Sequence, residues 1–331
     1  MADLSPVALT QLEIPDYDHG LRGKVLNARK LSPGSSTAFC TIAYGLSLAD
    51  DVTDVSFSRM ENGYPDARVV LDESTRVDLP WRGRTEAVIG DLVDRDGEPF
   101  GASPRWMLKS LLDQYAARGL VPVLGYEYEV WIFEDSPGRS RDSLAAIQPF
   151  GRVESAYSLS RSAGVANLAE EFAARMEAIG ASIDAFHSEL GPGFFEFALA
   201  PQPAMAAADG AARARQYLRD LCAERGLAAS FMAKPYGDRS GAGGHVHSSL
   251  TREGRNIFAS ESGNMSEEAA HYVAGLVDSL GEFSLMFNPF VNSFKRLDPA
   301  MWVATGASWG EPSWVCERLR FRPPHPVGRW P

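Results

Sequence analysis

Three cysteines in 331 residues, Cys40, Cys222 and Cys316, form no CxxC pair and no even-numbered set. A disulfide framework and a cysteine-built zinc site are therefore excluded as the organising principle. Such sparse cysteine usage fits a reducing, cytoplasmic compartment. Basic residues are also in deficit, with 32 Lys and Arg against 43 Asp and Glu and a net charge of −11. That balance offers no footprint for nucleic-acid phosphates and reads as solubility. No run approaches the roughly 20 apolar residues that span a bilayer, so no membrane role is expected. Met1 to Gly20, acidic and interrupted by Pro6 and Pro15, lacks the basic start and apolar core of a secretory leader. What is present, 45% hydrophobic and 23% charged residues, describes a soluble globular chain with one large domain or two smaller ones.

Residues 1–20 read as a loose N-terminal arm. From Arg22 to about Val93, short apolar runs bounded by Gly, Pro, Asn and Asp predict strands at 24–30, 38–44, 52–57 and 67–71. These make a small, mainly antiparallel domain over 21–101. Ser103 and Pro104 then open a helix whose Leu108, Leu111, Leu112 and Tyr115 recur at helical spacing until Gly119. Beyond the boundary near Gly101, strands and helices alternate. Strands are expected at 121–133, 182–189, 194–199, 228–233 and 245–250. Helices are expected around Val165–Ile179, over Pro203–Glu224, and from an N-cap at Ser266 to about Leu280. The fold class is α+β. Arg318–Pro331, with four Arg and four Pro and no apolar period, reads as a surface tail.

Three short segments hold the chemistry. Glu127 and Glu129 lie two apart on a strand, so both side chains leave one face while Tyr128, Val130 and Ile132 face a core. Adjacent carboxylates repel, and a hard divalent cation such as Mg²⁺ or Mn²⁺ removes the conflict. Taken alone, such a pair is more often a solvated face. Glu189 and Glu196 flank Gly191-Pro192-Gly193 and converge if that turn makes a hairpin. His245 and His247 repeat the strand spacing after the glycine-rich Gly241, Gly243 and Gly244. An HxH pair alone is weak, and His187 and His271 fall into no zinc spacing with it. Together, paired glutamates and paired histidines in strand contexts suggest a multi-metal site for phosphate chemistry.

In this order and spacing, the segments resemble the glutamine synthetase family of the bacterial type I kind. Tyr126-Glu127-Tyr128-Glu129 and the stretch from Ser188 to Glu196 resemble its metal-ligand strands. Lys234-Pro235 through Gly243-Gly244-His245-Val246-His247-Ser248-Ser249-Leu250 resembles its ATP-site signature, and Val291-Asn292-Ser293-Phe294-Lys295-Arg296-Leu297 a following block. Weaker matches lie at Arg22-Gly23-Lys24, Gly63-Tyr64-Pro65-Asp66 and Leu79-Pro80-Trp81. The resemblance implies a β-grasp-like N-terminal domain (21–101) and a catalytic domain (102–310) with a curved antiparallel sheet flanked by helices. It implies two or more Mg²⁺ or Mn²⁺ ions. One would be held by Glu129, Glu189 and Glu196, another by Glu127 and His245. His247 and Ser249 would line the nucleotide, Gly241 the glutamate substrate, and Arg296 would bind its carboxylate or the phosphate. The implied reaction is ATP-dependent ligation of ammonia or an amine to the glutamate γ-carboxylate, in a cytoplasmic homo-oligomer that forms dodecameric rings in the family.

Two departures refine this expectation. Trp302 stands where ammonia-using members carry a glutamate, and an indole, with a single N–H donor, cannot take a proton from ammonium. Branches with Trp at this point tend to use larger amines, so Trp302 is assigned to the amine side. After Ser308-Trp309-Gly310 the family continues with an Asn-Arg pair, further arginines and another metal-ligand glutamate. Here the sequence reads Glu311-Pro312-Ser313-Trp314, and 311–331 diverges as an Arg/Pro-rich tail, as a shifted reading frame would give. A C-terminally truncated member is therefore expected, with little or no ligase activity of its own. The alternatives are a catalytically inactive relative with a binding or regulatory role, and an unrelated HxH metallohydrolase.

Overall fold

The computed structural model describes residues 7–17, 20–31, 36–47, 50–134, 148–151, 156–260 and 265–297. Five strands come first: β1 (Leu9–Pro15), β2 (Leu21–Asn27), β3 (Thr37–Cys40), β4 (Asp66–Asp78) and β5 (Thr85–Val93), followed by helix α1 (Pro104–Ala116). The long strand β6 (Leu120–Glu134) and the short β7 (Gln148–Pro149) lead to α2 (Leu159–Ala163) and α3 (Ala166–Ala178). Then come the hairpin β8 (Ile183–Ser188) and β9 (Phe194–Leu199), the short β10 (Gln202–Pro203), and α4 (Ala204–Glu224). The described chain closes with β11 (Leu227–Ser230), β12 (Gly244–Arg252), β13 (Arg255–Asn256), α5 (Glu267–Ser279), α6 (Ser284–Phe287) and α7 (Val291–Lys295). The α+β class expected from sequence is the class observed.

Two compact units are distinguished. The first comprises Met1–Ala117 with Glu170–Ser182 and Ala208–Leu218. Its sheet has the order β2-β1-β5-β4-β3, with β1 and β5 parallel and the other pairs antiparallel, a β-grasp-like arrangement. Leu12, Ile14, Val69 and Leu92 are buried in its core together with Phe39. The loose arm expected over 1–20 is corrected here, because residues 9–15 form a sheet strand between β2 and β5. Strand β5 was not foreseen, and its nearly continuous burial explains why alternation did not mark it. Residues 52–57 form no strand, only isolated bridges at Val52 and Val55.

Charged residues also line this interior. Arg105 donates paired hydrogen bonds to Asp91 (2.9 and 2.8 Å) and to Asp209 (3.0 and 2.8 Å), and a further one to Asp72 (2.7 Å). Lys109 also pairs with Asp91. Nearby, Arg213 donates to Glu13 at 2.7 Å, and the Tyr217 hydroxyl donates to the other oxygen of Glu13 at 2.7 Å. Asp209, Arg213 and Tyr217 are four apart, so one face of a helix presents all three.

The second unit comprises Arg118–Ala169, Ile183–Ala207 and Arg219–Pro331. Its eight-stranded sheet runs β13-β12-β6-β9-β8, with β7, β10 and β11 also paired to β6, and every pairing is antiparallel. On one face of β6, Tyr128, Val130 and Ile132 are buried as their alternation predicts. On the other, Glu127 and Glu129 are followed by Trp131 and Phe133. Trp131 stacks on Phe194 with ring centroids 4.4 Å apart. This face is acidic at one end and apolar at the other.

Candidate active site: a carboxylate and histidine face

Strand register turns the three sequence segments into one surface. Glu196 on β9 lies directly opposite Glu129 on β6, and His187 on β8 lies directly opposite Glu196. This makes a row His187–Glu196–Glu129 across three strands. His245 on β12 lies opposite Glu127 in the adjacent row, and His247 lies opposite Gly125. Glu127 Oε2 sits 3.2 Å from His245 Nδ1 and 3.1 Å from His247 Nε2. The second approach is off the hydrogen-bond line, and His247 Nε2 is buried without a hydrogen-bond partner among the described residues. Ser249 continues the same face, half-buried and opposite Val123.

The hairpin that brings Glu189 in depends on Gly193. Its φ of 70° is left-handed, and a Cβ there would stand 2.5 Å from the Ile132 carbonyl oxygen and 2.8 Å from the Phe150 nitrogen. Glu189 N–H donates to the Phe194 carbonyl at 2.8 Å and closes the turn. Glu189 Oε1 then lies 3.5 Å from His187 Nδ1, while Glu196 Oε1 lies 3.5 Å from His187 Nε2. The ligand atoms of His187, Glu189 and Glu196 all fall within 4.8 Å of one another, a spacing compatible with a shared metal ion.

Arg296 follows α7 and reaches the same place. Asn292 fixes that helix by accepting from Lys234 N–H at 2.7 Å and donating to the Lys234 carbonyl at 2.9 Å. The Arg296 side chain lies against the glycine loop. A Cβ at Gly241 would meet its Cγ at 2.7 Å, and a Cβ at Gly243 its Nη2 at 2.7 Å. Nη2 is 3.8 Å from Glu129 Oε2, and the buried Nε has no hydrogen-bond partner among the described residues. Glu129 also accepts from the Gly243 N–H.

The electrostatics differ along the face. Burial pushes Glu129 up to about 7, with Glu196 and Glu189 adding to the rise and Arg296 and Gly243 opposing it. Burial would also raise Glu127, but His247 and His245 outweigh it and hold its carboxyl below the usual value. Thus Glu127, Glu129, Glu189, Glu196, His245, His247, Gly241, Ser249 and Arg296 all belong to one unit, with the acids and histidines on neighbouring strands. Trp302 and 311–331 lie outside the described residues. His271 stands apart, exposed on α5. His187, set aside in the sequence because no zinc spacing included it, is a member of the cluster. The signal for it was the short Gly-Pro-Gly turn, which sets the hairpin register opposite Glu196.

An antiparallel sheet carrying paired carboxylates, histidines and an arginine beside a glycine loop offers the donor types that metal-dependent phosphate sites use. Residues 101–316 match the family described as glutamine synthetase, catalytic domain, and the chain belongs to that family. It is 32% identical over 303 residues to the glutamate–isopropylamine ligase of a Pseudomonas species, covering 89% of this chain and 66% of that one. It is 30% identical over 312 residues to gamma-glutamylethanolamide synthetase GlnA4 of Streptomyces coelicolor, covering 92% and 67%. The crystal structure of a novel glutamine synthase homolog is similar with a TM-score of 0.78, at 24% identity over 93% of this chain and 71% of that one, which shows the shared fold. The chain thus spans only 66% and 67% of the length of these two curated relatives. The unrelated HxH metallohydrolase reading gives way to this family membership. No helix among the described residues is long and apolar enough to cross a membrane.

Proposed function

We propose that the chain binds ATP, glutamate and divalent metal ions for ligation of an organic amine to the glutamate γ-carboxylate, carried by a catalytic domain over 102–310. The observation that supports this most is the convergence of four glutamates and three histidines on adjoining strands and the turn between two of them, beside an arginine whose buried Nε is unpartnered among the described residues. The donor set fits hard divalent ions. Glu129 and Glu196 face each other across strands, a like-charge pair that either a shared proton or a bound cation relieves. Glu129, Glu189 and Glu196 would hold one Mg²⁺ or Mn²⁺, and Glu127 and His245 another. When bound, these ions supply charge neutralisation for phosphate oxygens.

The chain's own groups then divide the work. Arg296 binds the substrate carboxylate or the transferring phosphate. His247 and Ser249 border the nucleotide, and Gly241 lies beside the glutamate. A glutamate γ-carboxylate oxygen forms a bond to the ATP γ-phosphorus as the bond to ADP breaks. The amine nitrogen attacks the γ-carbon of the resulting γ-glutamyl phosphate, phosphate leaves with its oxygen, and the nitrogen loses a proton. Trp302, assigned to the amine side by the family resemblance, favours organic amines over ammonium because an indole offers apolar surface and no proton acceptor. The names of the isopropylamine and ethanolamide relatives support that preference. Ring assembly and a cytoplasmic location belong to the same proposal and rest on family membership alone.

The test is phosphate release from ATP with Mg²⁺ or Mn²⁺, with and without glutamate, across ammonium and a panel of primary amines. Any release is expected to be slow, to need glutamate and to run faster with an organic amine than with ammonium. Ammonium as the best acceptor overturns the amine assignment. ATP and Mn²⁺ binding without turnover selects the binding or regulatory role instead.

A further inference from the structure

We infer that His187 is itself a metal ligand, through Nε2 beside Glu196, with Glu189 accepting a hydrogen bond from its Nδ1–H. This inference rests on the metal-binding part of the proposal above and adds to it a residue and an oriented imidazole.

The geometry is specific. The two ring nitrogens face two different carboxylates, each at 3.5 Å. Neither distance is that of a strong charge-assisted hydrogen bond, about 2.7–2.9 Å. Nδ1 is buried and makes no hydrogen bond among the described residues. By contrast, two donors that share an ion at about 2.1 Å are separated by roughly 3.0–3.5 Å, depending on coordination angle. Nε2 and Glu196 Oε1 already stand at that separation, and strand register holds Glu129 on the far side of Glu196. A metal-ligating imidazole normally donates its other N–H to a carboxylate or carbonyl, which fixes the tautomer. Glu189 is the carboxylate on that side.

The ring is also held in its plane. Tyr157 stacks on it, with centroids 4.7 Å apart and planes 29° apart. Tyr157 adopts a left-handed φ of 55°, uncommon for a residue with a side chain. Its N–H donates to the Ser188 carbonyl at 2.8 Å, and the Ser158 N–H donates to the Ser188 hydroxyl at 3.2 Å. The segment beside α2 is thereby tied to the end of β8, next to the imidazole. A ring that served only as packing would need no carboxylate at either nitrogen.

The test uses Mn²⁺ and the full chain. Binding is titrated by EPR, and ¹⁴N coupling is read from the echo modulation of the bound ion. In a His245→Gln, His247→Gln double variant, an imidazole coupling is expected to persist, because His187 supplies it. In His187→Phe, which keeps the stack on Tyr157, affinity at that site is expected to fall by about 10- to 100-fold. Adding His187→Phe to the double variant is expected to abolish the coupling. Unchanged affinity in His187→Phe, or loss of all nitrogen coupling in the double variant, overturns the assignment while leaving a carboxylate metal site intact. Wild-type chain that binds no Mn²⁺ overturns both this inference and the proposal beneath it. Circular dichroism of each variant separates loss of a ligand from loss of fold.

Discussion

Each of the two units gathers four carboxylates, and they are treated in opposite ways. In the first, Glu13, Asp72, Asp91 and Asp209 meet Arg105, Lys109 and Arg213 in a network of short, paired hydrogen bonds. In the second, Glu127, Glu129, Glu189 and Glu196 meet three histidines and Arg296 at 3.1–3.8 Å. The first arrangement is complete without any ligand. The second leaves buried donors unpartnered and one carboxyl raised to about 7. Buried charge satisfied within the chain holds a fold together, whereas buried charge left incomplete marks a place for something else.

The largest expected effect lies in the complete network. Replacing Arg105 with Met leaves Asp91 and Asp209 buried without their bidentate partner. Removing one member of a buried ion cluster costs about 3–5 kcal/mol. Urea unfolding should show that loss, and adding Asp91→Asn should recover part of it, since the residues contact one another. Glu196→Gln is expected to do the reverse. Metal-free stability should hold or rise because a like-charge pair is relieved, while Mn²⁺ affinity falls by at least about 100-fold. If Glu196→Gln destabilised the metal-free chain as Arg105→Met does, the contrast between the two clusters would collapse.

The same contrast explains what the sequence discloses. Glu127 and Glu129 could be placed on one face because a strand has a fixed period of two. The stripe Val165, Leu168, Phe172, Met176 and Ile179 was legible because a helix has its own period, and all five are buried. Partners across strands were not legible. That Glu196 meets Glu129, or His187 meets Glu196, is decided by register, a non-local property. Strand β1 was missed for the same reason. Leu12 and Ile14 alternate with Glu13 as a strand allows, but the burial of Glu13 makes sense only once Arg213 and Tyr217, some 200 residues away, are seen to meet it. Residues 52–57 erred the other way, with strand-like composition but only isolated bridges. Roles drawn from resemblance, such as those of Ser249 and Trp302, have no counterpart in local pattern at all.

A smaller effect sharpens the comparison through pH. Glu129 is a carboxyl raised by burial to about 7 from 4.5. The folded state therefore prefers its neutral form, and ionising it costs stability. That cost is absent below about pH 4.5, grows as pH rises, and is complete above about 7. Metal-free chain is expected to lose about 1–3 kcal/mol between pH 5 and 8 from this group. Glu129→Gln should flatten the profile, and saturating Mn²⁺ should do so in the wild type. A urea midpoint that instead rises steadily over this range in metal-free chain would show that Glu129 is already compensated.

The smallest effect belongs to Asp72, at the rim of the complete network. Burial would raise its carboxyl, but hydrogen bonds from Ser74 and Arg105, with the charges of Arg105 and Lys109, bring it down to about 2. The sign is opposite to that of Glu129. Its contribution is present above the ordinary carboxylate value near 4 and disappears as pH falls toward 2. The side chain is partly exposed, so solvent screens the pair, and Asp72→Asn is expected to cost less than about 1 kcal/mol at neutral pH. Measured between pH 4 and 2, the gap between wild type and variant should close, because both then lack the charge. A gap that widened in acid would mean that Asp72 acts through geometry rather than charge. The rim of the network would then be as rigid as its Arg105 centre, although it is open to water.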